Sequence, residues 1–200
     1  MEIRSASAGD RGSVIATLTR AFRRDAIVRF LFPDDDTYPG RASLFFGHYF
    51  DVRLAGGEVF VCGEDVAGAS LWSPPGGNRL GHEFVEREWQ RNVVGALRAD
   101  EVQRYEAFTR VLDAITPAEP HWYLGLLGTD PDRQRTGVAR ALLTPMLSRS
   151  DREKVPVFLE TGMPGNIEIY RRFGFSEIGE GTVPDGPRVW GLVRVPTSSS

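Results

Sequence analysis

Cysteine is almost missing from this chain of 200 residues: Cys62 stands alone, which excludes an intrachain disulfide and any multi-cysteine zinc site. His48, His82 and His121 are scattered without ligand spacing, so no metal is expected. Lysine is nearly absent as well. Lys154 is the sole example, and the positive charge is otherwise arginine. A net charge of −3, with no basic run beyond the arginines around Gly137, gives no footprint for nucleic acid or an acidic membrane. No apolar run approaches the roughly twenty residues of a membrane helix, and Met1-Glu2-Ile3-Arg4 lacks an apolar targeting core, so a soluble cytoplasmic protein is expected. Repeats, low-complexity segments and linker-like stretches are also missing. One domain over 1–196 with a frayed tail at 197–200 follows.

The pattern that is present alternates strands and helices. A strand near Glu2 to Ser7 precedes helices near Asp10 to Arg23, Ala26 to Phe32 and Pro39 to Ala55, the last stopped by Gly56-Gly57. Strands near Glu58 to Cys62 and Val66 to Ser73 form a hairpin through Gly63-Glu64-Asp65. Two helices, near Arg79 to Leu97 and Asp100 to Ile115, lead to a strand from His121. The order β, helices, ββ, helices, β, α, β, α, ββ predicts an α+β domain with a mixed sheet.

The most informative stretch runs from Thr129 to Leu143. Aromatic and aliphatic residues from His121 to Gly128 suit a buried strand, and an apolar pattern at helical spacing follows the turn. A helix opening from a tight turn leaves backbone N–H groups without partners and carries partial positive charge there. Gly137 lets a ligand approach the backbone, Ala139 keeps the next position small, and Arg133, Arg135 and Arg140 add full charges. A pyrophosphate fits such a cradle. Neither G-x-x-x-x-G-K-[ST] nor G-x-G-x-x-G is present, so the usual nucleotide loops are excluded.

Gln134 to Ala139 instead reads Gln-x-x-Gly-x-Gly/Ala, which resembles the acyl-CoA signature of the GNAT superfamily of N-acetyltransferases. A second block supports the resemblance. After the strand-like run Val155 to Thr161, Asn166, Tyr170 and the closing Gly174-Phe175 fall in the family's order. Asn166 and Tyr170 stand at i and i+4 on one helix face, and Gly174 sits where a left-handed residue ends a helix.

The resemblance implies a GNAT fold: a mixed, mostly antiparallel sheet flanked by helices, with splayed central strands. It implies acetyl-CoA as co-substrate, held by Gln134, Arg135, Thr136, Gly137, Val138, Ala139, Arg140 and Asn166. It also implies that the backbones of Leu127 and Thr129 meet the pantetheine arm. Arg135 departs from the family, which has glycine there; an arginine is expected to keep a right-handed backbone and to point toward solvent or a phosphate. Aminolysis of a thioester needs a neutral amine, a polarised carbonyl and a stabilised leaving thiolate. A phenol, with an ordinary pKa of about 10, can protonate a departing thiolate at neutral pH, which makes Tyr170 the expected acid. The histone-acetylating branch carries a carboxylate where this chain has Tyr123, which removes the simplest base and leaves water as one option for the proton acceptor. Glu160 is the candidate, with pairing to Arg171 or Arg172 as the alternative.

The acceptor is expected to be a small-molecule amine, an aminonucleoside or other antibiotic among the options. It is placed between the N-terminal helices and the loop after Trp72. Asp25, Phe30 and Trp72 are the candidate contacts, with Phe32, Phe46, Tyr49, Trp89 and Asp51 held in reserve. Two other readings stay open: a non-catalytic acyl-CoA-binding regulatory domain, and acylation of a protein amine. A homodimer is compatible with either.

Overall fold

The computed structural model describes residues 1–197. Of the tail expected to fray, 198–200 lie outside the described residues, while Thr197 donates its N–H to Asp151 Oδ1 at 2.7 Å and is tied down. In chain order the elements are β1 (Ile3–Ser5), α1 (Arg11–Ala21), α2 (Ala26–Leu31), α3 (Tyr38–Gly56), β2 (Glu58–Cys62), β3 (Gly68–Ser73), α4 (His82–Asn92) and α5 (Ala99–Ile115). They continue with β4 (Trp122–Thr129), α6 (Val138–Glu153), β5 (Val157–Thr161), α7 (Pro164–Arg171), β6 (Ser176–Thr182) and β7 (Arg188–Arg194). This is the expected order. Local chemistry sets the ends: Asp25 caps α2 by accepting from the N–H groups of Ile27 and Val28, both at 3.0 Å. Gly174, at φ 85°, closes the turn after α7. No helix among the described residues is long and apolar enough to cross a membrane.

The strands form one sheet in the order β1-β2-β3-β4-β5-β7-β6. Every neighbouring pair is antiparallel except β4 with β5. One core lies beneath α1 to α5, with Phe46, Phe50 and Leu71 fully buried. The other lies beneath α6 and α7, built on Trp72, Trp122, Leu143 and Leu159. This two-layer packing hides both faces of the central strands from water, which explains why β4 and β5 read as nearly continuous apolar runs.

Two irregularities position the site. The first is a bulge in β4: Leu71 pairs with Leu126 but Trp72 pairs with Leu124, which leaves Gly125 as the extra residue. Trp122 and Leu124 therefore enter the α6–α7 core, whereas Leu126 enters the opposite one. The second is a divergence. β4 and β5 pair only through Trp122 with Val157 and Tyr123 with Phe158, and they part beyond that point.

Candidate active site

The turn after β4 follows the sequence reading except at Arg135. Asp130 accepts from the Asp132 N–H at 3.0 Å and caps a short 3-10 turn over Pro131–Arg133. The Gln134 N–H reaches Pro131 O at 3.5 Å, and the next bond of this kind is Ala141 N–H to Gly137 O at 3.0 Å. The intervening amides belong to the turn and to the first turn of α6, where helix donors have no partner of their own. Gly137 has φ 94°, and a Cβ there would meet nothing within 4 Å, so open space lies in front of it. Residues 134–137 are exposed, Val138 is buried and anchors the helix, and Ala139 is half-buried. Arg140 places its guanidinium 5.8 Å from the centre of the Phe173 ring.

Arg135 requires a correction: its backbone is left-handed, at φ 62°, not right-handed as expected. The chain path that turns β4 into α6 demands this conformation whatever the side chain, and an arginine pays the Cβ clash that glycine avoids. The side chain is exposed, as expected. R135G is therefore expected to raise stability by about 0.5–1 kcal/mol in denaturant melts. A loss of stability would show that the arginine side chain contributes to the folded turn.

The divergence of β4 from β5 opens toward this turn. The Asp130 N–H donates to Ala67 O on the β3 side at 2.9 Å. Alternation along a strand then turns the backbones of Thr129 and Leu127 toward the opposite side, where β5 has withdrawn. Gln134 Nε2 approaches Thr129 O from that side, at 3.5 Å. These open amides, the unpartnered helix start and the clear space before Gly137 suit an extended diphosphate-bearing arm.

A cleft straddles the divergence, walled by Tyr123 to Leu127 of β4, by Glu160 and Thr161 of β5, and by Asn166 and Tyr170 of α7. Tyr170 is 9 % exposed, and burial pushes its phenol well above the ordinary value. Its ring packs edge-on to Phe175, with centroids 5.6 Å apart. Asn166 Nδ2 donates to Thr161 Oγ1 at 3.2 Å. Glu160 accepts from the Tyr123 hydroxyl through Oε1 at 2.9 Å, while Oε2 is shielded from solvent and has no protein partner. Desolvation pushes this carboxyl up to about 7, against the lowering effect of the Tyr123 hydrogen bond. Glu160 pairs with neither Arg171 nor Arg172 among the described residues: its Oε1 takes the Tyr123 hydroxyl, its Oε2 has no partner, and Arg171 pairs with Glu168 and Glu177 on the surface.

The far side of the cleft comes from α1 to α3 and α5: Phe22, Asp25, Val28, Phe45, Tyr49, Tyr105, Phe108 and Leu112. Asp25 and Tyr49 are among these lining residues. Asp25 spends Oδ1 on the α2 cap, and desolvation raises its carboxyl. Trp72 and Phe30 need correction. Trp72 is 0 % exposed inside the α6–α7 core, because alternation along β3 puts it on the face opposite Ala69 and Leu71. Phe30 packs against the turn at Gly186, where a Cβ would come within 3.0 Å of its ring. Phe32 and Phe46 are core, Trp89 stacks on Tyr105 with centroids 4.2 Å apart, and Asp51 pairs with Arg11 at 2.8 Å. The loop after Trp72 does not reach the cleft; α5 takes its place. Tyr105, Phe108 and Leu112 were not foreseen, although their spacing along α5 already put them on one helix face.

The model of the acetyltransferase (GNAT) family matches residues 63–175, more than half of the chain, from the β2–β3 turn through Phe175. The chain belongs to the GNAT family of acetyltransferases. An uncharacterized N-acetyltransferase of Schizosaccharomyces pombe is 27% identical over 184 residues, 88% of this chain and 74% of its own length. Among solved structures, a histone acetyltransferase HPA2 and related acetyltransferase from Corynebacterium glutamicum aligns with TM-score 0.71 at 21% identity, over 99% of this chain and 97% of its own. Arylalkylamine N-acetyltransferase 2 from Aedes aegypti aligns with TM-score 0.61 at 13% identity, over 98% of this chain and 99% of its own. At these identities the two structures establish the fold alone. The GNAT assignment makes the chain an acetyltransferase of a family that uses acetyl-CoA and acts on amines.

Proposed function

We propose that this GNAT protein, as a single catalytic domain over 1–196, transfers the acetyl group of acetyl-CoA to the amine of a small molecule. The observation that carries this reading is the cleft itself. A phenol and a carboxyl face one cavity at the point where two strands part, and an aromatic wall closes the opposite side. A wall built from α1, α2, α3 and α5 suits a compact acceptor better than a peptide, which needs an open groove.

Acetyl-CoA supplies the acyl carbon and the thiolate leaving group. The cradle from Gln134 to Arg140 and the open amides of Leu127 and Thr129 hold it, and Asn166 lies beside the arm. The remaining steps belong to the chain. Glu160, when ionised, receives a proton from the acceptor ammonium or from the nitrogen as it attacks, directly or through one water. The new C–N bond forms as the C–S bond breaks, and Tyr170 gives its proton to the departing sulfur. Raising the Tyr170 phenol keeps that proton in place across the neutral range, and raising Glu160 to about 7 poises it as a base. Holding amine and thioester together contributes more than either proton transfer, since effective molarities of roughly 10⁵ M or more exceed the roughly 10² to 10⁴ of acid–base help.

His121 to Leu124, Pro156 to Thr161, Asn166 to Phe175 and Val183 to Trp190 resemble puromycin N-acetyltransferase, which makes an antibiotic one acceptor to test without carrying the substrate over. That likeness covers the coenzyme half and fades over the N-terminal helices and over 76–117, the segments whose α1, α2, α3 and α5 residues wall the acceptor side. A thiol-release assay with acetyl-CoA, puromycin and a panel of primary amines tests the proposal. Turnover of at least one small amine is expected. Binding of acetyl-CoA without transfer to any amine would favour the regulatory reading, and transfer to peptide amines alone would favour protein acylation.

A further inference from the structure

Arg53, in the last turn of α3, has no task in the reaction as written. It is 4 % exposed, and its Nε is enclosed without a partner. Among the described residues no carboxylate forms an ion pair with it; its company is the ring of Tyr49 at 4.8 Å and that of Tyr123 at 5.7 Å. Its Nη2 fills the place of the side chain that Gly125 lacks, at the β4 bulge, so a Cβ there would collide with it. Tyr49, Tyr123 and Gly125 all line the cleft. Aromatic faces compensate a buried cation only in part, and such a charge is costly until an anion meets it.

Glu160 has the complementary deficit. Its Oε2 is enclosed and unpartnered on the other side of Tyr123, whose hydroxyl holds Oε1. Two opposite charges thus flank one tyrosine without pairing with each other. A molecule carrying both an amine and an acid group answers both deficits at once, because a guanidinium fork matches a carboxylate bidentately.

We infer that the acceptor amine also bears a carboxylate, which Arg53 binds while Glu160 faces the nitrogen; this rests on reading the cleft as the acetyl-transfer site. The acceptor class is then amino acids or their conjugates, with an apolar or aromatic side chain received by Phe45, Tyr105 and Phe108.

Matched acceptor pairs test it: phenylalanine against phenethylamine, tyrosine against tyramine, and leucine against isoamylamine, each with saturating acetyl-CoA. In the wild-type protein the acid member is expected to win by at least about tenfold in kcat/KM. R53Q is expected to shrink that ratio to about twofold or less, with R53K intermediate because it keeps the charge and loses the fork. Equal rates within the pairs, faster turnover of the decarboxylated members, or a ratio untouched in a folded R53Q each overturn the inference while leaving acetyl transfer standing. If R53Q does not fold, the wild-type ratio decides. A parallel series replaces acetyl-CoA with malonyl-CoA and succinyl-CoA; an Arg53-dependent preference appearing there moves the carboxylate to the acyl donor and also overturns it. Silence toward every amine of both kinds removes the acetyl-transfer reading, and this inference with it.

Discussion

E160Q is expected to lose roughly 10²- to 10⁴-fold in kcat/KM and to flatten the pH profile. In the wild-type protein, activity should climb with pH through an inflection near the value of about 7 to which burial pushes the Glu160 carboxyl, because only the ionised form accepts a proton. Glutamine keeps the shape and can still accept the Tyr123 hydroxyl, but it cannot take a proton, so the rising limb should vanish. Stability gives an independent readout with the opposite sign. A carboxyl whose folded pKa is raised favours the folded state fully below its unfolded value of about 4.5, and that contribution fades as pH rises through about 7. E160Q should therefore melt higher than the wild-type protein at pH 8 while being the poorer enzyme. A variant that keeps both the limb and the rate removes Glu160 from the chemistry.

Y170F should lower kcat by roughly 10- to 100-fold and leave acetyl-CoA affinity nearly unchanged. The phenol oxygen is the only atom lost, and the ring keeps its edge contact with Phe175. The raised phenol also implies that no descending limb caused by Tyr170 appears below the ordinary phenol range of about pH 10. Single-turnover thiol release beside calorimetric titration with acetyl-CoA separates the two effects. An unchanged kcat excludes Tyr170 as the acid, and a loss of coenzyme affinity equal to the loss of rate assigns it to binding.

The conformation of the two segments proposed to hold the coenzyme was largely legible in sequence because it is local. Gln134 to Ala139 and Asn166 to Gly174 each form one continuous turn and helix, and short-range chemistry determines how such segments bend. The exception, Arg135, is instructive: the backbone path overrode the preference of the side chain, and the family's glycine at this position was the available warning. The aromatic wall of the cleft, the proposed acceptor side, was much less legible. Tyr49 stands more than fifty residues before Tyr105 and Phe108, and they meet only once α3 and α5 fold over the sheet. Period-two reasoning also fails across Gly125, since one inserted residue sends Leu124 and Leu126 to opposite cores. Arg53 gave no sequence signal at all. An arginine near a helix C-terminus normally suits the dipole and solvent, and only its burial sets it apart.

The parting of β4 and β5 leaves the two halves of the sheet stitched by two residue pairs, Trp122 with Val157 and Tyr123 with Phe158. A coenzyme arm lying along the rift would act as a surrogate strand, lending its amides to main-chain groups that otherwise face water. Loading the coenzyme would then be an act of assembly as much as of recognition, and each product departure would briefly unlace the scaffold that the next round must draw together.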